Sequence, residues 1–256
     1  MLLVRELYWK KHDFAERRDD PSKTIMLASI PRTGSTHMGI CMWSEGVFGA
    51  PLEYLNMNTN QQIYKRLSCG NQDRYWRNIR RLRQTPNGVF SYKMFVANYL
   101  HFKDEDPAFL AQIAPSHVVY LTREDKVGQA ISYARAIQTK RWFAAVPERA
   151  EPEYSFGAIR AQQTSIAQQE TVWERIFELT ETPPCRVTYE QLLADRSGTM
   201  KRISDYVGEP LSNESRIEIG AIDKQADSVS DGWRDRYLED LLSHEPQTPA
   251  PAPALQ

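Results

Sequence analysis

Cysteine is scarce, and its spacing excludes as much as its number. Cys41, Cys69 and Cys185 lie far apart and form no CxxC pair. They supply neither a disulfide framework nor the paired ligands of a structural zinc site. Charge of one sign is lacking too, since 32 Lys and Arg stand against 33 Asp and Glu, a formal net charge of -1. Bulk nucleic-acid binders carry a marked basic excess, so that class is set aside, and only local basic pockets fit the balance. Nor is there a long apolar run. No window reaches the ~18–20 apolar residues of a membrane span. Met1-Leu2-Leu3-Val4 meets Arg5 too early for the apolar stretch of a signal peptide. The expectation is a chain of the reducing cytoplasm. With no internal repeat and no inner linker, 256 residues read as one large domain.

What is present is an alternation of short apolar runs and helical stretches. Thr24–Ile30 reads as a buried parallel strand stopped by Pro31, and Thr36–Glu45 as the helix that follows. Val89–Val96, entered through the turn Pro86-Asn87-Gly88, is a second strand; His117–Leu121 and Cys185–Tyr189 are a third and fourth. Helices are predicted over Asp125–Phe143, Phe156–Leu179 and Glu190–Val207. In the longest, Phe156, Ile159, Ile166, Trp173, Ile176 and Phe177 keep to one face. The pattern predicts an α/β domain over residues 23–243, with a mostly parallel central sheet flanked by helices. Residues 1–22 form an arm or short helix before it. Residues 244–256, with four prolines and alternating alanines, are a disordered tail on composition.

The loop after the first strand, Pro31-Arg32-Thr33-Gly34-Ser35-Thr36, carries anion chemistry. Free N–H groups and the positive end of a helix dipole meet there, and Arg32 and three hydroxyls add donors. An ordinary turn with Gly, Ser and Thr in turn and cap positions is the competing reading. The GxxxxGK[ST] pattern of a nucleoside triphosphate cradle is absent. Arg123 closes the third strand and Ser132 follows nine residues later, at the edge of the sheet where parallel folds bind ligands. Either they hold a second phosphate, or Arg123 pairs with Glu124 or Asp125 and Ser132 packs in its helix. Taken together, the two signals suit a ligand with phosphates at both ends.

These residues resemble a known family. Ile30–Thr36, Ala50-Pro51-Leu52-Glu53-Tyr54, Leu121–Lys126 with Gln129–Ser132, Arg186–Leu192 and Lys224–Asp227 are similar, in order, to the bacterial trehalose sulfotransferases. The resemblance runs from about Thr24 to Tyr237, most of the chain. It implies a P-loop-NTPase-like sulfotransferase fold and the donor 3'-phosphoadenosine 5'-phosphosulfate (PAPS). Arg32, Thr33, Gly34, Ser35 and Thr36 would hold its 5' end, and Arg123 and Ser132 its 3'-phosphate. Lys224 stands where the family tends to have an arginine near the nucleotide. Glu53 would be the general base, Arg32 would stabilise the leaving group, no metal is required, and a homodimer is implied.

Several alternatives stay open at this level. A carboxylate base works best where desolvation raises its pKa, and Glu53 could instead be a surface carboxylate. His37 and His101 are rival bases, whereas His12 and His244 lie in terminal segments and His117 begins a strand away from the ligand edge. Lys93 either approaches the sulfate or snorkels at a strand end. Tyr54, Asn56, Asn58, Asn60, Tyr64, Tyr75 and Trp76 offer rings and amides suited to a sugar or glycolipid hydroxyl acceptor. The competing functions are an ATP- and magnesium-dependent small-molecule kinase and a catalytically inactive nucleotide-binding module.

Overall fold

A computed structural model describes residues 4–68, 70–142, 150–219 and 228–244. Four strands, β1 (Lys23–Ser29), β2 (Val89–Phe95), β3 (His117–Thr122) and β4 (Cys185–Thr188), form one sheet in the order β2-β1-β3-β4. Every pairing is parallel. The helices are α1 (Ser35–Ser44), α2 (Met57–Leu67), α3 (Gln72–Arg83), α4 (Val96–Glu105), α5 (Pro107–Gln112), α6 (Lys126–Thr139), α7 (Phe156–Leu179), α8 (Tyr189–Ala194), α9 (Arg196–Val207) and α10 (Ser228–His244).

Both faces of the sheet are covered, which is why its strands read as near-continuous apolar runs. Ile25 and Leu27 of β1, with Val119 and Leu121 of β3, pack against Met38 and Met42 of α1 and Ile203 of α9. The alternate residues Met26, Ala28, Val118 and Tyr120 face the larger cluster, which takes in Trp76 of α3, Ile131 of α6, Trp173 of α7 and Tyr237 of α10. Trp173 is fully buried, stacks on Phe177 at 5.5 Å, and donates its indole N–H to Ser29 O at 3.0 Å. That bond fixes the last residue of β1, and with it the start of the loop that follows.

The structure departs from the sequence expectation in two of the helices. Glu190–Val207 is not one helix: Asp195 breaks it, and its carboxylate accepts from the Gly198 N–H at 2.8 Å as the cap of α9. The helix expected to reach Phe143 ends at Thr139, where Lys140 turns left-handed at φ 56°. Residues 4–22 hold two short 3-10 turns, Val4–Tyr8 and Lys10–His12, with Leu7 and Tyr8 buried in the larger core. Of the expected tail, His244 ends α10, and residues 245–256 lie outside the described residues. No described helix is long and apolar enough to cross a membrane.

Candidate active site

Because all four strands run the same way, their carboxyl ends share one edge, and the loop after β1 leaves from its middle. Arg32 and Gly34 both have positive φ, 69° and 82°. For glycine this is free; for arginine it is a strained conformation that its surroundings must hold. Arg32 donates through Nε to Ser132 Oγ at 2.9 Å and through Nη1 to Trp142 O at 2.6 Å. The fully buried Gln129 donates to Pro31 O at 3.0 Å. Thr33 turns its hydroxyl inward to Ile30 O at 3.0 Å, so it serves the turn itself. Gly34 caps α1 without a side chain, which leaves the first-turn N–H groups with no side-chain cap. A Cβ at position 34 would lie 2.3 Å from the ring of Tyr189, so only glycine fits under that ring.

On the β2 side of the loop, Lys93 lies in β2, two residues from its end, and is 5% exposed. Its ammonium meets Glu53 Oε1 at 2.7 Å, Ser35 Oγ at 3.3 Å and Thr36 Oγ1 at 3.2 Å. Glu53 comes from an irregular segment laid beside β2 by a single parallel bridge, Leu52 to Tyr92, with the Lys93 N–H donating to Leu52 O at 2.8 Å. Gly49 makes that approach possible: φ is 77°, and a Cβ there would sit 2.7 Å from the Ser91 N and Oγ. The second Glu53 oxygen accepts from Asn56 Nδ2 at 2.7 Å. Glu53 is therefore a buried carboxylate one lysine away from the loop hydroxyls, and not a surface group.

On the β3 side, Arg123 pairs with Asp125 at 3.0 Å, which the second reading of that residue expected. Its guanidinium also stands 5.8 Å from the Tyr189 ring centre, and its buried Nε has no hydrogen-bond partner among the described residues. Glu190 Oε1 stands 4.0 Å from it, an ion-pair separation and not a hydrogen bond. Asp125 caps α6 and is also reached by Arg234 at 2.5 Å. Burial alone would raise its carboxyl; the hydrogen bonds from Arg234 and the Gly128 N–H, with the charge of Arg123, hold it instead at about 2. Beyond Ser132, a cavity is lined by Arg32, Ser132, Arg135, Thr139, Arg141 and Ser230. Arg135 donates to Ser230 Oγ at 2.6 Å, joining α6 to α10. Burial, then the charges of Arg123, Arg135 and Arg141, pull the Arg32 guanidinium down to about 10, still charged at neutral pH. Such crowding of like charges is relieved by an oxyanion.

The structure thus gathers Arg32, Gly34, Ser35, Thr36, Glu53, Arg123 and Ser132 along one edge. It ties Arg32 directly to Ser132, and so links the two expected phosphate handles. Lys224 lies outside the described residues. Neither rival histidine joins the cluster: His37 contacts Cys41 at 3.7 Å, and burial followed by the charge of Arg196 lowers its pKa; His101 is exposed beside Phe102 on α4. Three of the supposed sugar-binding rings, Tyr54, Tyr75 and Trp76, are core residues of 0–1% exposure and are closed to any acceptor. Sequence reasoning missed Arg135, Arg141 and Ser230, although Ser132 and Arg135, three apart on one helix, share a face. Among the described residues, no group of three or more His, Cys, Asp or Glu side chains could hold a metal ion.

A parallel sheet whose carboxyl edge carries a hydroxyl-rich anion loop, a buried carboxylate and a basic cavity defines an α/β enzyme built to move an anionic group. The comparisons with known proteins specify the group. The profile of the Stf0 sulphotransferase family matches residues 24–240, and the chain belongs to that family and is a sulfotransferase. It is 28% identical over 265 residues to a trehalose 2-sulfotransferase of Mycolicibacterium smegmatis, covering 87% of this chain and 96% of that one. A trehalose 2-sulfotransferase of Mycobacterium tuberculosis is 27% identical over 121 residues, covering 46% of this chain and 44% of the relative. Among solved structures, the sulfotransferase domain from the Synechococcus PCC 7002 olefin synthase aligns over 95% of this chain and 94% of that one, at 14% identity and a TM-score of 0.43.

Proposed function

We propose that the protein transfers a sulfuryl group from PAPS to a hydroxyl of a carbohydrate acceptor, with Glu53 as general base. The observation that carries this is the triple contact of Lys93, which joins Glu53 to Ser35 and Thr36. The groups that would hold the donor and the group that would activate the acceptor are one side chain apart. In this reading Glu53 takes the proton of the acceptor hydroxyl as its oxygen bonds to sulfur. The bond between sulfur and the 5'-phosphate oxygen breaks, and the charge gathering on that oxygen is met by Arg32 and the N–H groups at the start of α1. Proton transfer to Glu53 removes the counter-charge of Lys93, whose ammonium is then available to the transferring group between them.

The 3'-phosphate is assigned to the β3 side, where Arg123 offers a buried Nε and the arginine-lined cavity continues past Ser132. The acceptor class is supported by the two relatives, both trehalose 2-sulfotransferases. A cytoplasmic homodimer is part of the same proposal. Two measurements test it. Adenosine 3',5'-bisphosphate should raise the thermal midpoint while ATP with magnesium does not, and labelled sulfate should pass from PAPS to trehalose or another sugar of a panel. Stabilisation by ATP with magnesium alone, with no sugar labelled, would sink the reading.

A further inference from the structure

The family match begins at residue 24, yet a residue well before it reaches the site. Tyr8 is 3% exposed, and its hydroxyl accepts the backbone N–H of Glu53 at 3.1 Å in a buried contact. The irregular segment that carries Glu53 has no helix or strand ladder of its own; local turns take the Leu52, Tyr54 and Asn56 N–H groups, and neighbours satisfy others. Lys93 N–H donates to Leu52 O at 2.8 Å, Tyr75 OH donates to Tyr54 O at 2.8 Å, and Tyr8 OH takes the Glu53 N–H between them. Tyr8 is itself held from both sides. The fully buried Arg83, at the end of α3, donates to Leu7 O at 2.9 Å and to Trp9 O at 3.1 Å, the carbonyls that flank it. The Asp13 carboxylate then locks Arg83 at 3.1 Å and Arg66 at 2.6 Å.

We propose that Tyr8 is a positioning residue for Glu53, and that residues 4–13, clamped by Arg83 and Asp13, hold the carboxylate in register with Lys93 and Asn56. The proposal rests on Glu53 being the base. Without the tyrosine oxygen, the Glu53 N–H must turn to find another acceptor. That rotation of the peptide swings the carboxylate off the 2.7 Å contacts that aim it.

The test is a kinetic cycle on the full chain: wild type, Tyr8→Phe, Glu53→Gln and the double variant. Release of adenosine 3',5'-bisphosphate from labelled PAPS is followed with and without the sugar panel, so transfer to sugar and to water both register. We expect Tyr8→Phe to lower kcat roughly 10- to 100-fold, the scale of an ångström of misplacement. KM for the donor should stay within about twofold, and no further loss should appear in the Glu53→Gln background. A wild-type kcat for Tyr8→Phe overturns the proposal, as does an equal fold-loss in both backgrounds, which marks Tyr8 as packing alone. Wild-type turnover by Glu53→Gln is a different failure, that of the base assignment itself. Should Tyr8→Phe fail to fold, Asp13→Asn loosens the arm with Tyr8 intact and faces the same criteria.

Discussion

Removing the ammonium of Lys93 is the sharpest perturbation of the site. Its partner Glu53 has a side-chain exposure of 10% and Lys93 one of 4%, so the pair belongs to the buried regime, where screening is weak. Lys93→Met keeps the bulk of the stem but leaves a buried carboxylate with Asn56 as its one remaining side-chain partner in this cluster. Breaking such a pair from one side costs about 3–5 kcal/mol. For a chain of this size that is a fall of roughly 6–20 °C in thermal midpoint. Adding Glu53→Gln should recover part of the loss, since a neutral amide leaves no lone buried charge. Urea unfolding of the wild type, both single variants and the double variant gives the coupling, expected to be ~1.5 kcal/mol or more. Strictly additive losses would refute the argument, because the two groups would then not sense each other. Turnover at saturating donor should fall with Lys93→Met, while bisphosphate binding, which the proposed reading rests largely on the β3 side, should fall less.

Other outcomes can be checked with the same preparations. Gly34→Ala places a methyl group 2.3 Å from the Tyr189 ring at a φ of 82°, so calorimetry should show bisphosphate affinity reduced at least roughly tenfold. Arg135→Ala should weaken adenosine 3',5'-bisphosphate more than adenosine 5'-monophosphate; equal losses would remove the cavity from the 3'-phosphate site. Asp125 is depressed from 3.8 to about 2, so its stabilising contribution is present above pH 3.8 and lost as pH falls through about 2. The deficit of Asp125→Asn against wild type in urea unfolding should therefore be full at pH 6 and shrink towards pH 2. Trp173→Ala should cost about 3–5 kcal/mol by urea unfolding and loosen the β1 end through loss of the bond to Ser29.

What the sequence revealed and what it hid divide along local and non-local lines. The strands announce themselves as apolar runs because both sheet faces are buried, and α7 announces itself by periodicity. The strand-loop-helix unit that carries Arg32, Gly34 and the loop hydroxyls was legible because those residues are contiguous. Lys93 could be read two ways, since its partner depends on a single-residue bridge between Leu52 and Tyr92 that no periodicity encodes. Tyr54, Tyr75 and Trp76 looked like a sugar surface because composition cannot tell a ring in a core from a ring in a cleft. The α8–α9 break did have a local signal, Asp195 three residues before Gly198, hidden by the helical pattern on either side. Arg135 and Arg141 come to line a cavity with Arg32 only once α6 and the residues just after it are packed beside the loop.

The bonds that hold Arg32 in its left-handed turn come from far along the chain. Ser132 is 100 residues away, Trp142 is 110, and the indole that pins Ser29 is 144. A nascent or proteolysed chain that stops short of α6 contains every residue of the loop and none of these three bonds. Contacts of such separation form late, after the entropy of closing long loops has been met. On the proposed reading, donor affinity in this protein is accordingly a readout of completed folding, absent from any intermediate that has only its first two strands in place.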